Sequence, residues 1–100
     1  MRQGTTPTHT FTLPFDKREV KSVEATYAQK EKQILRKVLD GTTMDGKTVS
    51  ITLTQEETFD FRAGELAGVQ LRVLMQSGAV VGSQVMLFNV EGSLSKEVLV

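Results

Sequence analysis

Cysteine and tryptophan are absent from the sequence, and histidine occurs only once, as His9. Without cysteine the chain can form neither a disulfide framework nor a thiolate metal site. A single histidine excludes a histidine dyad and a histidine-rich metal site, and no serine lies in a nucleophile-elbow motif. We therefore predict a protein that is not an enzyme, with no catalytic residue, no cofactor and no bound metal.

Neither sign of charge is in excess, because 12 basic residues are balanced by 12 acidic ones and the formal net charge is zero. Nucleic-acid binding depends on cations that displace counterions from phosphates, so we expect no nucleic-acid partner.

Apolar runs of roughly 20 residues, the length that spans a bilayer, are also missing. The opening MRQGTTPTHTF lacks the apolar region of a signal peptide. We expect no membrane partner. The 100 residues, 39% of them hydrophobic, fit one ordinary globular domain.

Several stretches alternate between apolar and polar residues, which is the pattern of half-buried β-strands. In THTFTLP the threonines fall on one side of the strand, and Pro14 ends it because proline has no N–H for the ladder. TVSITLT and GVQLRVLMQ repeat the alternation. The predicted inward positions are His9, Phe11 and Leu13, then Val49, Ile51 and Leu53, then Val69, Leu71, Val73 and Met75.

The last predicted strand, AVVGSQVMLFNV, is apolar on both faces. A strand in a two-layer protein normally has one solvated face. Two explanations stay open. A bulge near Gly82 could change the register, or another segment of the chain could cover the second face; alternatively, the second face is an interface with another subunit. The predicted faces are Val81, Val85 and Leu87 on one side, and the candidate interface of Val80, Met86, Phe88 and Val90 on the other.

The stretch LTQEETFDFRAGE interrupts the alternating pattern and predicts one helical turn near residues 55–59. Thr54 fits an N-cap whose hydroxyl accepts from the N–H of Glu57, while the Glu57 carboxylate reaches back. Phe59 and Phe61 would then close one end of the core, and Gly64 would let the chain enter the next strand. As an alternative, Glu56 and Glu57 could be a catalytic acid and base, but adjacent helical residues point about 100° apart. We interpret the segment as a structural corner.

Residues 16–40 allow two interpretations from their residues alone. Asp16 could cap a helix with Glu19 in the reciprocal position, and Gly41 could end it. Lys, Glu, Gln, Arg and Leu, which are frequent here, also favour helices. The other interpretation is a β-hairpin in which Val23, Ala25 and Tyr27 alternate, QKEK turns and QILRKVL returns.

Four stretches together resemble a family of small proteins from phages and prophages of Gram-positive bacteria: MRQGTTPTHTFTLPFD, VEATYAQ, DGKTVSITLTQEETFDF and VQLRVLMQSG. The similarity covers roughly residues 1 to 90. In that family the region matching residues 22–39 is a pair of strands with an Asn-Gly-like turn, whereas this chain has QKEK there. The resemblance therefore implies the hairpin, and it brings no catalytic residues.

With the hairpin included, the predicted fold is all-β, a small immunoglobulin-like antiparallel β-sandwich of about six strands. The alternative is an α+β fold with a helix over residues 16–40. The domain is predicted to span residues 1–92, and residues 93–100 form a tail that either docks as an added strand or stays loose. The strands are expected at residues 8–13, 20–29, 33–39, 47–54, 66–76 and 79–90.

The resemblance also implies a function: a non-enzymatic phage or prophage structural or accessory protein that acts by protein–protein assembly in the virion tail or baseplate. The expected partners are other phage structural proteins and further copies of this chain in a homo-oligomer. The expected location is the host bacterial cytoplasm during assembly, and then the virion. The alternative is a carbohydrate- or cell-surface-binding module, which would need exposed aromatic rings around Tyr27.

Overall fold

Seven β-strands and one short helix make up most of the chain in a computed structural model that describes residues 1–100. Two single 3₁₀ turns, Lys17–Glu19 and Gly41–Thr43, connect strands. The strands are β1 Thr8–Thr12, β2 Val20–Gln29, β3 Lys32–Asp40, β4 Thr48–Thr52, β5 Leu66–Met75, β6 Val80–Gly82 and β7 Met86–Asn89, and the helix is α1 Gln55–Phe59.

The strands form two antiparallel sheets that enclose one core. The larger sheet has the order β3-β2-β5, with β6 and β7 both paired to the other edge of β5, and the smaller sheet is β1-β4. The core contains apolar side chains from both sheets, including Tyr27, Ile51 and Leu71, each at most 1% exposed. The predicted all-β sandwich is thus confirmed. Its layers are unequal, five strands against two, whereas the immunoglobulin arrangement divides its strands nearly evenly.

Residues 20–40 form a β-hairpin, so the hairpin prediction is confirmed and the helix over residues 16–40 is wrong. The capping signal was real but local, because Asp16 and Glu19 form a capping box around a 3₁₀ turn of only three residues. Strand β2 then pairs with β3 on one side and β5 on the other, and Val23 and Tyr27 are fully buried. Burial of this alternating face outweighs the helix propensity of the charged residues.

The predicted strand over residues 79–90 is divided into β6 and β7 by a bulge. Arg72 of β5 pairs with Gly82, and Val69 pairs with Met86, so two residues of β5 lie opposite three of the other strand. Ser83 holds the irregular backbone, since the Leu71 N–H donates to its hydroxyl at 2.9 Å. The extra residue reverses which side chains point inward after it.

Residues 93–100, here called the C-terminal arm, form no strand. Polar contacts hold the arm beside α1 and the N-terminal segment. Lys96 Nζ donates to Gln3 Oε1 at 2.8 Å, and the side-chain amide of Gln55 exchanges hydrogen bonds of 2.9 and 2.8 Å with the backbone of Leu99. The side chains of Leu94 and Leu99 are exposed.

Candidate functional site

An apolar groove lies on the outer face of the five-stranded sheet, on the side away from the core. Its wall is formed by Leu66, Val85 and Leu87, which are 55%, 56% and 67% exposed. The groove has a volume of about 540 Å³. We call it the outer groove; it is lined further by Thr26, Ala28, Gly68, Gln70 and, at one end, Lys30, Glu31 and Glu65.

The depth of the outer groove depends on small residues in its floor. Gly68 is buried beneath Val85, and a Cβ at residue 68 would lie 2.7 Å from Val85 Cγ1. Gly68 also pairs with Ala28 of β2 on one side and with Leu87 of β7 on the other. Short side chains at the centre of the sheet therefore leave a depression between the taller aliphatic residues of the edge strand and the β2–β3 turn.

The bulge requires a correction of the candidate interface. Met86 and Phe88 point toward the core, and Val90 is buried, so the predicted second apolar face is not exposed as a unit. The ring of Phe88 lies 5.3 Å from that of His9, between centroids. Of the four predicted interface residues only Val80 is largely exposed. The aliphatic surface lies on the opposite face, because one inserted residue exchanged the inward and outward sets.

A strained turn borders the outer groove. Lys30 and Glu31 connect β2 to β3, and both have positive φ, 49° and 63°. This left-handed geometry suits the two-residue turn of a hairpin but favours Asn and Gly over side chains such as these. Lys30 Nζ lies 3.2 Å from Glu65 Oε1, whereas Glu31 belongs to none of the ion pairs of the chain. Strained residues often mark functional positions, and here they place charges of both signs at the groove.

Farther along the same outer face, Glu24 lies between two arginines. Its carboxylate accepts from Arg72 Nε at 2.6 Å and from Arg36 Nε at 2.5 Å. These hydrogen bonds, Arg72 first, lower the pKa of Glu24 to about 2. The face is therefore divided into an apolar part and a fully ion-paired part, which also carries the exposed Val38 of β3.

The outer face of the smaller sheet is different, since it is covered by hydroxyl groups. Thr8 pairs with Thr52, and their hydroxyl oxygens are 2.8 Å apart; Thr10 pairs with Ser50 at 3.3 Å. All four residues are exposed. The predicted orientation of the threonines in β1 and β4 is confirmed. This face is well solvated, so the outer groove is distinguished by its aliphatic character.

The corner over residues 54–64 has the predicted geometry. The Thr54 hydroxyl accepts from the Glu57 N–H at 3.2 Å, and the Thr54 N–H donates to the Glu57 carboxylate at 2.8 Å. Phe61 is 2% exposed and packs edge-on against Tyr27. Phe59 is only half-buried, beside Gly4, and Gly64 has φ +82°.

The Glu57 carboxylate is occupied by a hydrogen bond and an ion pair within the protein. It lies 2.9 Å from Lys37 Nζ, and Lys37 also donates to the carbonyl of Thr52. Burial acts to raise the pKa of Glu57, but the hydrogen bonds from Lys37 and from the Thr54 N–H outweigh it, and the pKa is lowered. Lys37 thereby connects β3 to the end of β4, on one open side of the sandwich.

His9 lies on the opposite open side of the sandwich, between β1 and β7. Its Nδ1 is 2.7 Å from the hydroxyl of Tyr27. Burial, and to a smaller extent the positive N-terminus, keeps the pKa of His9 below its ordinary value. A shallow crevice of about 340 Å³ borders His9, and its walls include Phe11 and Phe88. The side chain of His9 is used in packing and hydrogen bonding within the core.

Comparison with known proteins adds no relative: no protein-family model, curated protein or solved structure matches the chain. No helix has the length and apolar character needed to cross a membrane. No three His, Asp or Glu side chains are grouped in a way that could hold a metal ion. The fold and site together define a small all-β protein with an aliphatic groove on one outer face.

The alternating pattern did not reveal the outer groove, because its residues come from three strands, the β2–β3 turn and the bulge that holds Val85. Leu66 and Leu87 looked like ordinary strand residues, and Gly68 looked like the start of a strand. One signal was available. A strand apolar on both faces had to expose one of them, but the position of the bulge decided which.

Proposed function

We propose that the protein acts without catalysis, by protein–protein assembly, and that the outer groove is its docking surface. The observation that carries this proposal is the cluster of Leu66, Val85 and Leu87, each more than half exposed, around a depression of about 540 Å³. Clustered exposed aliphatic residues usually mark contact surfaces. Burial of a fully exposed Val or Leu side chain contributes about 1.5–3 kcal/mol, and these partly exposed side chains would each gain roughly half of that on docking.

The proposed setting is a phage or prophage of a Gram-positive bacterium, with other phage structural proteins as partners. The support for it is the resemblance of MRQGTTPTHTFTLPFD and DGKTVSITLTQEETFDF to small proteins from tail and baseplate gene regions. In this proposal the chain works in the host bacterial cytoplasm during assembly and enters the virion tail or baseplate.

The alternative of a carbohydrate- or cell-surface-binding module depends on exposed rings around Tyr27. Tyr27 is fully buried, and Phe61 is 2% exposed. The surface that could still bind a sugar is the hydroxyl-covered outer face of β1 and β4. Retention of the protein on cell-wall polysaccharide, lost on replacing Thr10 and Ser50 by lysine, would favour this alternative over assembly.

The assembly proposal is tested by replacing one wall residue of the outer groove. Particles and assembly intermediates are purified from host cells that express wild type, Leu87→Lys or Val38→Lys, and the chain is detected by mass spectrometry. Val38 is 53% exposed and lies outside the groove, so it is a matched control. We expect wild type and Val38→Lys to be incorporated and Leu87→Lys to be lost. Equal incorporation of all three overturns the groove as the docking surface, and absence of the wild-type chain from particles and intermediates alike overturns the phage setting.

A further inference from the structure

We propose that the outer groove of one copy holds the C-terminal arm of a second copy, which makes the chain a homo-oligomer joined by exchanged arms. This inference rests on the proposed function and names the partner of the same groove. It pairs two exposed apolar surfaces of the molecule, the aliphatic outer groove and the aliphatic side chains of the C-terminal arm.

The arm has the character of a donated segment. It makes no strand pairing, and Leu99 is 79% exposed while Leu94 is fully exposed. The contacts that hold it are mainly hydrogen bonds, from Gln55 to the Leu99 backbone and from Lys96 and Ser93 to Gln3, and Val98 alone among its aliphatic side chains is partly buried. Such bonds exchange readily with water, so release of the arm costs little compared with the aliphatic surface that docking would bury.

The arm is long enough to cross a neighbouring copy, and its chemistry matches that of the outer groove. Eight extended residues span about 26 Å at roughly 3.3 Å each, and the molecule is 30 Å across in its second dimension. The groove wall consists of Leu66, Val85 and Leu87, which would accept leucine and valine side chains.

The arm carries Lys96 and Glu97 and the groove end carries Lys30, Glu31 and Glu65, so both surfaces hold charges of each sign and one complementary contact is available. Lys96 on the arm and Glu31 at the end of the groove belong to no ion pair within the monomer. An arm lying in the groove of another copy brings a cation toward that acid. The formal net charge is zero, so two copies approach without net repulsion.

The geometry favours a second copy over the chain's own arm. The arm is held by Gln55 of α1 and by Gln3, whereas the outer groove lies on the outer face of the larger sheet. A contact of this kind joins two different surfaces, so it forms a dimer by reciprocal exchange, a ring where the rotation closes, or an open filament where it does not.

Light scattering on purified full-length protein tests the proposal. We expect wild type and the control Val38→Lys to be oligomeric, and Leu99→Lys and Leu87→Lys each to dissociate with a Kd raised about tenfold or more. Leu99 keeps its backbone bonds to Gln55 and Leu87 is an exposed edge residue, so both variants should retain the wild-type circular dichroism spectrum.

Mixing the two variants is the sharper experiment. Leu99→Lys keeps an intact groove and Leu87→Lys keeps an intact arm, so together they should form a 1:1 heterodimer with one arm–groove contact. Packing of two outer faces against each other predicts no such recovery. A charge exchange adds a second readout: Lys96→Glu should raise Kd about two- to fivefold, and Glu31→Lys in the same chain should restore it.

Monomeric wild type at high concentration, or Leu99→Lys that stays oligomeric, overturns the arm proposal. Failure to recover the heterodimer from the mixture also overturns it. These outcomes differ from failure of the proposed function: if Leu87→Lys is lost from particles while Leu99→Lys is incorporated normally, the outer groove binds another protein and the arm plays no part.

Discussion

Gly41 lies directly against the backbone of Val20, so closely that a Cβ on residue 41 would be 2.1 Å from the Val20 carbonyl oxygen. Backbone atoms in the central strand cannot move aside without breaking its pairing. We therefore predict that Gly41→Ala lowers the free energy of unfolding by about 3 kcal/mol, the upper end of the usual cost of overpacking, because the site is rigid. Urea denaturation followed by circular dichroism measures this loss.

Gly46→Ala is the matched control for that prediction. Gly46 has φ +59°, but nothing lies within 4 Å of the position its Cβ would take. Only the left-handed backbone is unfavourable there, at a cost of about 1–2 kcal/mol. An equal loss at the two glycines would contradict the close approach of Gly41 to Val20.

The turn between β2 and β3 should become more stable when its strain is removed. Glu31 has φ 63°, where glycine carries no steric penalty. We predict that Glu31→Gly raises the free energy of unfolding by about 0.5–1 kcal/mol. Glu31→Ala removes the same carboxylate but keeps the strain, so a matching gain in that variant would show that charge, not φ, is responsible. Thermal unfolding of the three proteins separates the two causes.

Gln29 connects the end of β2 to the corner and should be sensitive to loss of its amide. Its Oε1 accepts from the Arg62 N–H at 2.7 Å, and its Nε2 donates to the Arg62 carbonyl at 2.9 Å. Gln29→Leu would leave these groups unpaired at a buried position, at a cost of about 1–3 kcal/mol. Gln33→Leu changes an exposed glutamine and should have little effect. Equal melting temperatures for the two variants would refute the role of the amide.

Glu24 should make stability depend on pH in the acidic range. Because Arg72 and Arg36 lower its pKa from 4.5 to about 2, its contribution is complete above about pH 4.5 and is lost as the pH falls toward 2. The arginine partners are exposed and screened by solvent, so the contribution of each pair is small. The difference in unfolding free energy between wild type and Glu24→Gln should shrink from pH 7 to pH 2.5. A difference that stays constant over this range would argue against the ion pairs.

Sequence patterns anticipated those parts of the fold that depend on neighbouring residues. Alternation placed Val49, Ile51 and Leu53 in the core, and the spacing of Thr54 and Glu57 predicted their capping box. Both features are local, because a few neighbouring residues determine the two-residue period of a strand and the fixed spacing of a capping box.

Long-range features were harder to predict. Asp16 and Glu19 cap a real turn, but pairing of β2 with the distant β5 determined that a strand follows. Likewise, the bulge opposite Gln70 and Leu71 decided that Phe88 points inward, and no local signal states how many residues a bulge contains. Gly68 acquires its role in the outer groove only when Val85 lies above it.

The central position of β2 has a consequence for the time course of folding. Val23 pairs with Leu39 in the adjoining hairpin, but also with Val73 in the second half of the chain. During synthesis at about 5–20 residues per second, the hairpin emerges from the ribosome seconds before its other neighbour. Nascent chains therefore spend that interval with an apolar strand edge exposed. Because β2 and β5 are distant in the sequence, we also expect refolding to take milliseconds to seconds.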